Sequence, residues 1–207
     1  MTFGITTYGR AEYLPYLLEQ SKRIGGEWIF VNDGCERTKK IMGKRAIHKA
    51  HGGVGGYWNT VNVLFSAMKK TKSDLFIWMP DDMIFVDNFM DQVLELWDSI
   101  HAPKIALSLH RDSRKSCWNG IPAKDYSPRV DQVGFVDGAC LCTRDFLVNI
   151  PNQGNYFKKF ASSGVGRYLT GLFQGRLFAV QKSLLIHREG LSQMHSEIRK
   201  RIPLRSL

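Results

Sequence analysis

The 207-residue chain is long enough to bury one full core, and its composition (43% hydrophobic, 12% aromatic, 23% charged) is that of a globular protein. No stretch approaches the ~18–20 uninterrupted apolar residues that span a bilayer, and a strand pattern starting at Thr2 leaves no place for a signal peptide, so a cytoplasmic protein is expected. The net charge of +10 is one-sided: residues 1–103 balance, whereas residues 104–207 hold 17 Lys+Arg against 7 Asp+Glu, a feature that bears on partners rather than on fold.

Residues 2–7 read as a strand and Thr7-Tyr8-Gly9-Arg10 as the turn after it. A helix follows, with Leu14, Leu17, Leu18 and Ser21 on one face. Trp28-Ile29-Phe30-Val31 is a short buried strand ended by the turn signal Asn32-Asp33-Gly34. The basic segment 37–49 reads as a solvated face. Residues 52–56 form a glycine-rich turn without the Gly-Lys-Ser/Thr ending of a phosphate loop, and they lead into a helix whose apolar face is Val61, Leu64, Phe65 and Met68. Leu75-Phe76-Ile77-Trp78-Met79 is a fully apolar strand stopped by Pro80-Asp81-Asp82, with another helix over about 88–99. The second half is less regular: a strand at 105–109, a long polar loop, strands near 134–142 and 177–186, and a basic tail or helix from 191 on. The four cysteines suggest neither a disulfide framework nor a zinc site. Cys140 and Cys142 share one strand face and are expected as buried free thiols. The tryptophans Trp58, Trp78 and Trp97 are expected in the core.

The β-α-β-α-β order predicts an α/β fold with a mostly parallel sheet covered by helices on both faces. Ligands in such sheets sit at the carboxyl ends of the strands, where Asp33, Asp81 and Asp82 fall. Two adjacent carboxylates behind a buried strand need their charge compensated. A divalent cation, Mn²⁺ or Mg²⁺, held by one or two carboxylates and substrate phosphates would do so. A solvated turn capping the next helix is the plainer alternative.

Several segments together resemble the GT-A glycosyltransferases, nucleotide-sugar enzymes with a Rossmann-like mixed sheet. Phe3-Gly4-Ile5-Thr6-Thr7-Tyr8-Gly9-Arg10 is similar to that family's opening strand and turn, which implies that Thr6, Thr7 and Arg10 cradle the donor nucleotide. Ile29-Phe30-Val31-Asn32-Asp33-Gly34 is similar to its second strand, whose terminal Asp contacts the base, uracil by family habit. Gly55-Gly56-Tyr57-Trp58-Asn59 and the following helix match the segment beneath the diphosphate, and Gly55, Asn59 and Asn62 are expected to bind donor. Pro80-Asp81-Asp82-Met83-Ile84-Phe85-Val86-Asp87-Asn88-Phe89 resembles the metal motif and the helix entry after it, which implies Asp82 as metal ligand and Asp81 holding the ribose or donor sugar. Met79 and Pro80 stand where many relatives carry a further acid. In the second half, Phe135-Val136-Asp137-Gly138-Ala139 resembles the floor of the sugar pocket, and His187-Arg188-Glu189-Gly190-Leu191-Ser192 a late His-x-x-Gly-x-Ser element. The latter makes His187 a metal or phosphate ligand, with a buried, backbone-bonded histidine as the alternative.

Inverting relatives carry an acidic pair ahead of the last helix, but the corresponding Ala161-Ser162-Ser163-Gly164-Val165-Gly166-Arg167 has no acid. Asp137 is therefore the expected general base and Asp112 the reserve; a retaining mechanism would need neither. The family places donor binding in residues 1–103 and acceptor binding in 104–207 of a single domain, so the positive excess falls on the acceptor side. Arg111, Arg114, Lys115 and Trp118 share one loop, and Arg199-Lys200-Arg201 and Arg205 close the chain. A cationic, aromatic surface suits a polyanion, and the expected acceptor is a hydroxymethylated base in DNA, as for virus-type DNA base glycosyltransferases. The base would be flipped out, with Trp118 or Tyr126 filling the gap. A lipid-linked or oligosaccharide acceptor is the alternative. Outside this class stand a nucleotidyltransferase, which would show a Gly-rich loop after the first strand, and a non-catalytic nucleic-acid-binding module, which has no use for Asp81 and Asp82.

Overall fold

A computed structural model describes residues 1–7, 9–49, 56–111, 123–134, 136, 138–149 and 173–188. The first half runs β1 (Thr2–Thr7), α1 (Leu14–Ile24), β2 (Glu27–Asp33), α2 (Glu36–Met42), β3 (Ala46–Lys49), α3 (Gly56–Met68), β4 (Leu75–Pro80), β5 (Met83–Phe85) and α4 (Phe89–Ser99). The second runs β6 (Ala106–Ser108), β7 (Lys124–Ser127), β8 (Val130–Gln132), β9 (Cys140–Thr143), α5 (Arg144–Val148), β10 (Leu177–Val180) and β11 (Leu185–His187). Nine strands form one sheet in the order β3-β2-β1-β4-β9-β6-β10-β8-β7, and β11 pairs with β5 in a separate ribbon. The block β3-β2-β1-β4 is wholly parallel. Antiparallel pairing begins where β9 joins β4, so the expected mixed α/β sheet is present, with the block β3-β2-β1-β4 drawn from the first half of the chain.

Alternation of side chains along each strand feeds two cores, one on each face. Ile77 and Met79 of β4 join Phe3 and Ile5 of β1 beneath Leu14 and Leu17 of α1 and Phe89, Val93 and Leu96 of α4. Phe76 and Trp78 point the other way, toward Val61, Leu64, Phe65 and Met68 of α3 and Phe146 and Leu147 of α5. Burial of whole apolar side chains at ~1.5–3 kcal/mol each makes these two layers the main source of stability. Gly4 permits the close approach of α3: a Cβ there would lie 2.4 Å from Met68 Sδ. Cys140 and Cys142 are buried free thiols on the α3 side, and burial together with the neighbouring Cys140 pushes the Cys142 thiol well up.

Three departures from the sequence reading have local causes. The basic segment 37–49 is not a bare solvated face but α2 followed by edge strand β3, whose exposed Ile47 hides the alternation. The polar stretch before Gly134 contains the hairpin β7–β8. The apolar run 177–186 breaks at Gln181-Lys182-Ser183, after which β11 leaves the main sheet for β5. Trp78 and Trp97 are core residues as expected. Among the described residues no helix is long and apolar enough to cross a membrane.

Candidate active site

Because β1, β2, β3 and β4 are parallel, their carboxyl ends share one sheet edge. β1 runs out toward Arg10, β2 ends on Asp33, β3 ends on Lys49, and β4 is followed at once by Asp81 and Asp82. Both carboxylates are buried, at 1% and 3% exposure. One arginine spans them: Arg10 Nη2 lies 2.7 Å from Asp81 Oδ1, and Nη1 lies 2.6 Å from Asp82 Oδ2. The compensating charge that the sequence reading gave to a metal is supplied here by a guanidinium from the turn after β1.

The β5–β11 ribbon brings the fourth member. Its register places His187 opposite Met83, the residue after Asp82. His187 Nδ1 therefore comes within 3.1 Å of Asp82 Oδ2, and the Arg188 amide donates to the Asp82 carbonyl at 2.7 Å. His187 is thus a buried histidine facing a carboxylate, not one bonded only to backbone. His110, just past β6, stands edge-on to His187, with ring centroids 4.7 Å apart. Its Nδ1 lies 2.9 Å from the Leu185 carbonyl, an acceptor, so Nδ1 carries the proton. Burial alone would push the Asp82 carboxyl up, but the His187 ring and the Arg10 guanidinium outweigh it and hold the group below its ordinary value.

The neighbouring strands carry a second ion pair. Lys49 Nζ lies 2.5 Å from Asp33 Oδ1 across adjacent strand ends. Thr6 and Thr7 are buried at the end of β1, and Thr7 Oγ1 donates to Thr38 Oγ1 at 3.3 Å. The Asn32 side chain closes the turn after β2 through the Cys35 amide and carbonyl.

The donor set bears on how a divalent cation would be held. Among the described residues no group of three or more His, Cys, Asp or Glu side chains could cage one. Asp82 Oδ1, however, is buried and accepts no hydrogen bond. A cation ligated by one or two carboxylates, with substrate phosphates and water completing its shell, fits this arrangement; an all-protein site built from the described residues does not.

The edge therefore gathers Thr6, Thr7, Arg10, Asp33, Asp81, Asp82 and His187. Asn62 is half-buried and Asn59 exposed on α3, which packs against β1 and β2. Gly55, Asp112, Arg114, Lys115, Trp118 and Asp137 lie outside the described residues. Arg111 is ion-paired to buried Asp131, which also accepts from Gln181 Nε2 at 2.9 Å, and so serves to join β6 to β8. Tyr126, considered above as a base-gap filler, accepts the amides of His101 and Ala102 on its hydroxyl and packs edge-on against Phe178, an anchoring role. Sequence reading missed Lys49, lost in a basic run, and His110, whose one signal is its place at a strand's carboxyl end.

No protein-family model matches the sequence, and no curated protein does. Solved structures do. Residues 1–349 of S. aureus TarS in complex with UDP match with a TM-score of 0.59 at 14% identity, over 89% of this chain and 59% of that one. A larger S. aureus TarS structure matches with a TM-score of 0.61 at 14% identity, over 89% of this chain and 36% of that one. A mycobacterial protein gives 0.53 at 10% identity, over 90% of this chain and 66% of that one. The chain thus spans about three-fifths of the shorter TarS structure. At this identity the likeness establishes the architecture: the chain has the GT-A type of α/β fold, a mixed sheet flanked by helices, in common with TarS.

Proposed function

We propose that the chain is a glycosyltransferase that takes a sugar from a nucleoside-diphosphate donor, a UDP-sugar, and passes it to a hydroxyl acceptor. The observation that carries this reading is the cluster of Arg10, Asp81, Asp82 and His187 at the carboxyl edge of the parallel strands. That edge is where sheets of this kind hold nucleotides, and UDP is bound by the similarly folded TarS. Asp33 at the end of β2 faces the base, Thr6 and Thr7 shape the floor beneath it, and Asp81 holds the ribose or sugar. Asn59, Asn62 and Gly55 lie along the diphosphate. Arg10 and His187 bind and orient the phosphates. Asp82, with His187 beside it, would hold Mn²⁺ or Mg²⁺ together with the donor phosphates, and such an ion would supply charge neutralisation of the diphosphate leaving group.

Asp137 is assigned as the base that takes the proton from the acceptor hydroxyl, with Asp112 in reserve. Support comes from its neighbour in the chain. The Ala139 amide donates to the Trp78 carbonyl at 2.8 Å, so residues just after Asp137 run beside the end of β4. The acceptor is a polyanion, DNA with hydroxymethylated bases first, on the strength of the basic excess in residues 104–207, where Arg114, Lys115 and Trp118 sit.

The test uses a radiolabelled UDP-sugar with Mn²⁺. Wild-type protein is expected to hydrolyse or transfer the sugar and Asp82→Ala to lose at least 100-fold, whereas release of sugar 1-phosphate with transfer of the uridylyl group would mark a nucleotidyltransferase. Label entering hydroxymethylated DNA, with a steep loss of rate between 50 and 200 mM salt on the order of that seen for phosphate-tracking proteins, supports the DNA acceptor. Label entering only lipid or oligosaccharide replaces it.

A further inference from the structure

The Arg10 clamp and a donor-borne cation call on the same oxygens. Asp82 Oδ2 is held by Arg10 Nη1 at 2.6 Å and faced by His187 Nδ1 at 3.1 Å, and Asp81 Oδ1 is held by Arg10 Nη2 at 2.7 Å. A divalent ion ligated by these carboxylates sits roughly 2.0–2.2 Å from their oxygens. It would then lie within about 5 Å of the guanidinium, like charge against like charge, in a site where both acids are almost fully buried. Both cations cannot occupy it on equal terms. Arg10 has somewhere to go: it follows Gly9, which has φ +70°, and its side chain is 16% exposed although its partners are not.

We infer that Arg10 is the internal counter-ion of the donor-free protein, and that a divalent cation displaces it from Asp81 and Asp82. The freed guanidinium then turns to the donor's phosphates, for which its planar fork is suited. The exchange itself needs only the geometry above; the second half, capture of phosphate, rests on the proposed function. Before donor arrives, Arg10 offsets one of the two aspartate charges and keeps the cation affinity low. The divalent ion is thereby admitted together with the nucleotide rather than ahead of it.

The experiment measures Mn²⁺ binding to the nucleotide-free protein from the electron paramagnetic resonance of free Mn²⁺, with thermal melting alongside. Arg10→Met is expected to bind Mn²⁺ at least tenfold more tightly than wild type. Its melting temperature should fall in metal-free buffer and recover with Mn²⁺, while the wild-type value barely moves. Adding Asp82→Asn to Arg10→Met should abolish the gain. Should Arg10→Met fail to fold, Arg10→Lys serves, since an ammonium contacts one carboxylate at a time; a smaller rise in Mn²⁺ affinity is then expected. Affinity unchanged or reduced in the folded variants, or a gain that survives Asp82→Asn, overturns the exchange. UDP binding in saturating Mn²⁺ reports separately on the donor reading. If Arg10→Met gains Mn²⁺ affinity but neither protein binds UDP, the exchange stands and the glycosyltransferase reading fails.

Discussion

Asp82 sits under opposed influences, and their balance sets a measurable pH dependence. Desolvation raises its carboxyl while the His187 ring and the Arg10 charge lower it, and the lowering prevails over the ordinary value of 3.8. A group whose folded value is depressed stabilises the fold above its unfolded value, and that stability is lost as pH falls through the folded one. In metal-free buffer, wild type should therefore exceed Asp82→Asn in urea stability at pH 7 and pH 5, and the gap should close below about pH 4. A gap that stays constant from pH 7 to pH 3 would remove the ion pair as its source. The sequence announces the two aspartates, since an apolar run stops at Pro80-Asp81-Asp82, but leaves both a bound cation and a helix-capping turn open. What balances them is hidden, because Arg10 and His187 reach Asp82 only through the β1–β4 pairing and the β5–β11 ribbon. The same holds for Lys49, whose partner Asp33 lies one strand over.

The elements that sequence reading recovers are those with a strong local period. β1, β4 and the apolar face of α3 carry their pattern on consecutive buried residues. β3, β5, β7, β8 and β11 span three or four residues each, too few for alternation to register, and they exist because a partner strand is present. Close packing between elements is likewise invisible until the helix is laid on the strand, and Gly4 is the sharpest instance. With Met68 Sδ 2.4 Å from the position of an added Cβ and Leu64 Cδ1 at 3.1 Å, Gly4→Ala must push α3 off the sheet or force Met68 from its rotamer. The expected cost is about 1–3 kcal/mol in urea denaturation. Met68→Ala should also destabilise alone by leaving a cavity. Combined with Gly4→Ala, however, it should cost less than the two changes summed, because each relieves the other. Strict additivity would mean that this contact does not limit the approach of α3.

At the scale of the whole chain, the charge asymmetry and the folding unit do not coincide. Residues 1–103 are neutral and 104–207 carry the entire excess, yet the sheet crosses that line. β9 lies between β4 and β6, pairing Ile77 and Trp78 with Leu141 and Cys140 on one side and Leu107 and Ser108 with the same two residues on the other. Each core draws on both halves: Leu107, Leu141 and Phe178 share one with Phe3 and Leu17, and Phe146 and Leu177 share the other with Leu64 and Trp78. A fragment of residues 1–103 would leave β4 as an unpaired apolar edge, an exposure that favours association over folding. Four of the five tryptophans, Trp28, Trp58, Trp78 and Trp97, lie in the first half, so their fluorescence follows that half, while far-UV circular dichroism follows both. Because the two halves share one sheet, the two signals should trace a single urea transition at the same midpoint. The 1–103 fragment should show no cooperative transition. Midpoints that separate, or a fragment that melts cooperatively, would make residues 1–103 a folding unit of their own, with its boundary at the β4–β9 pairing.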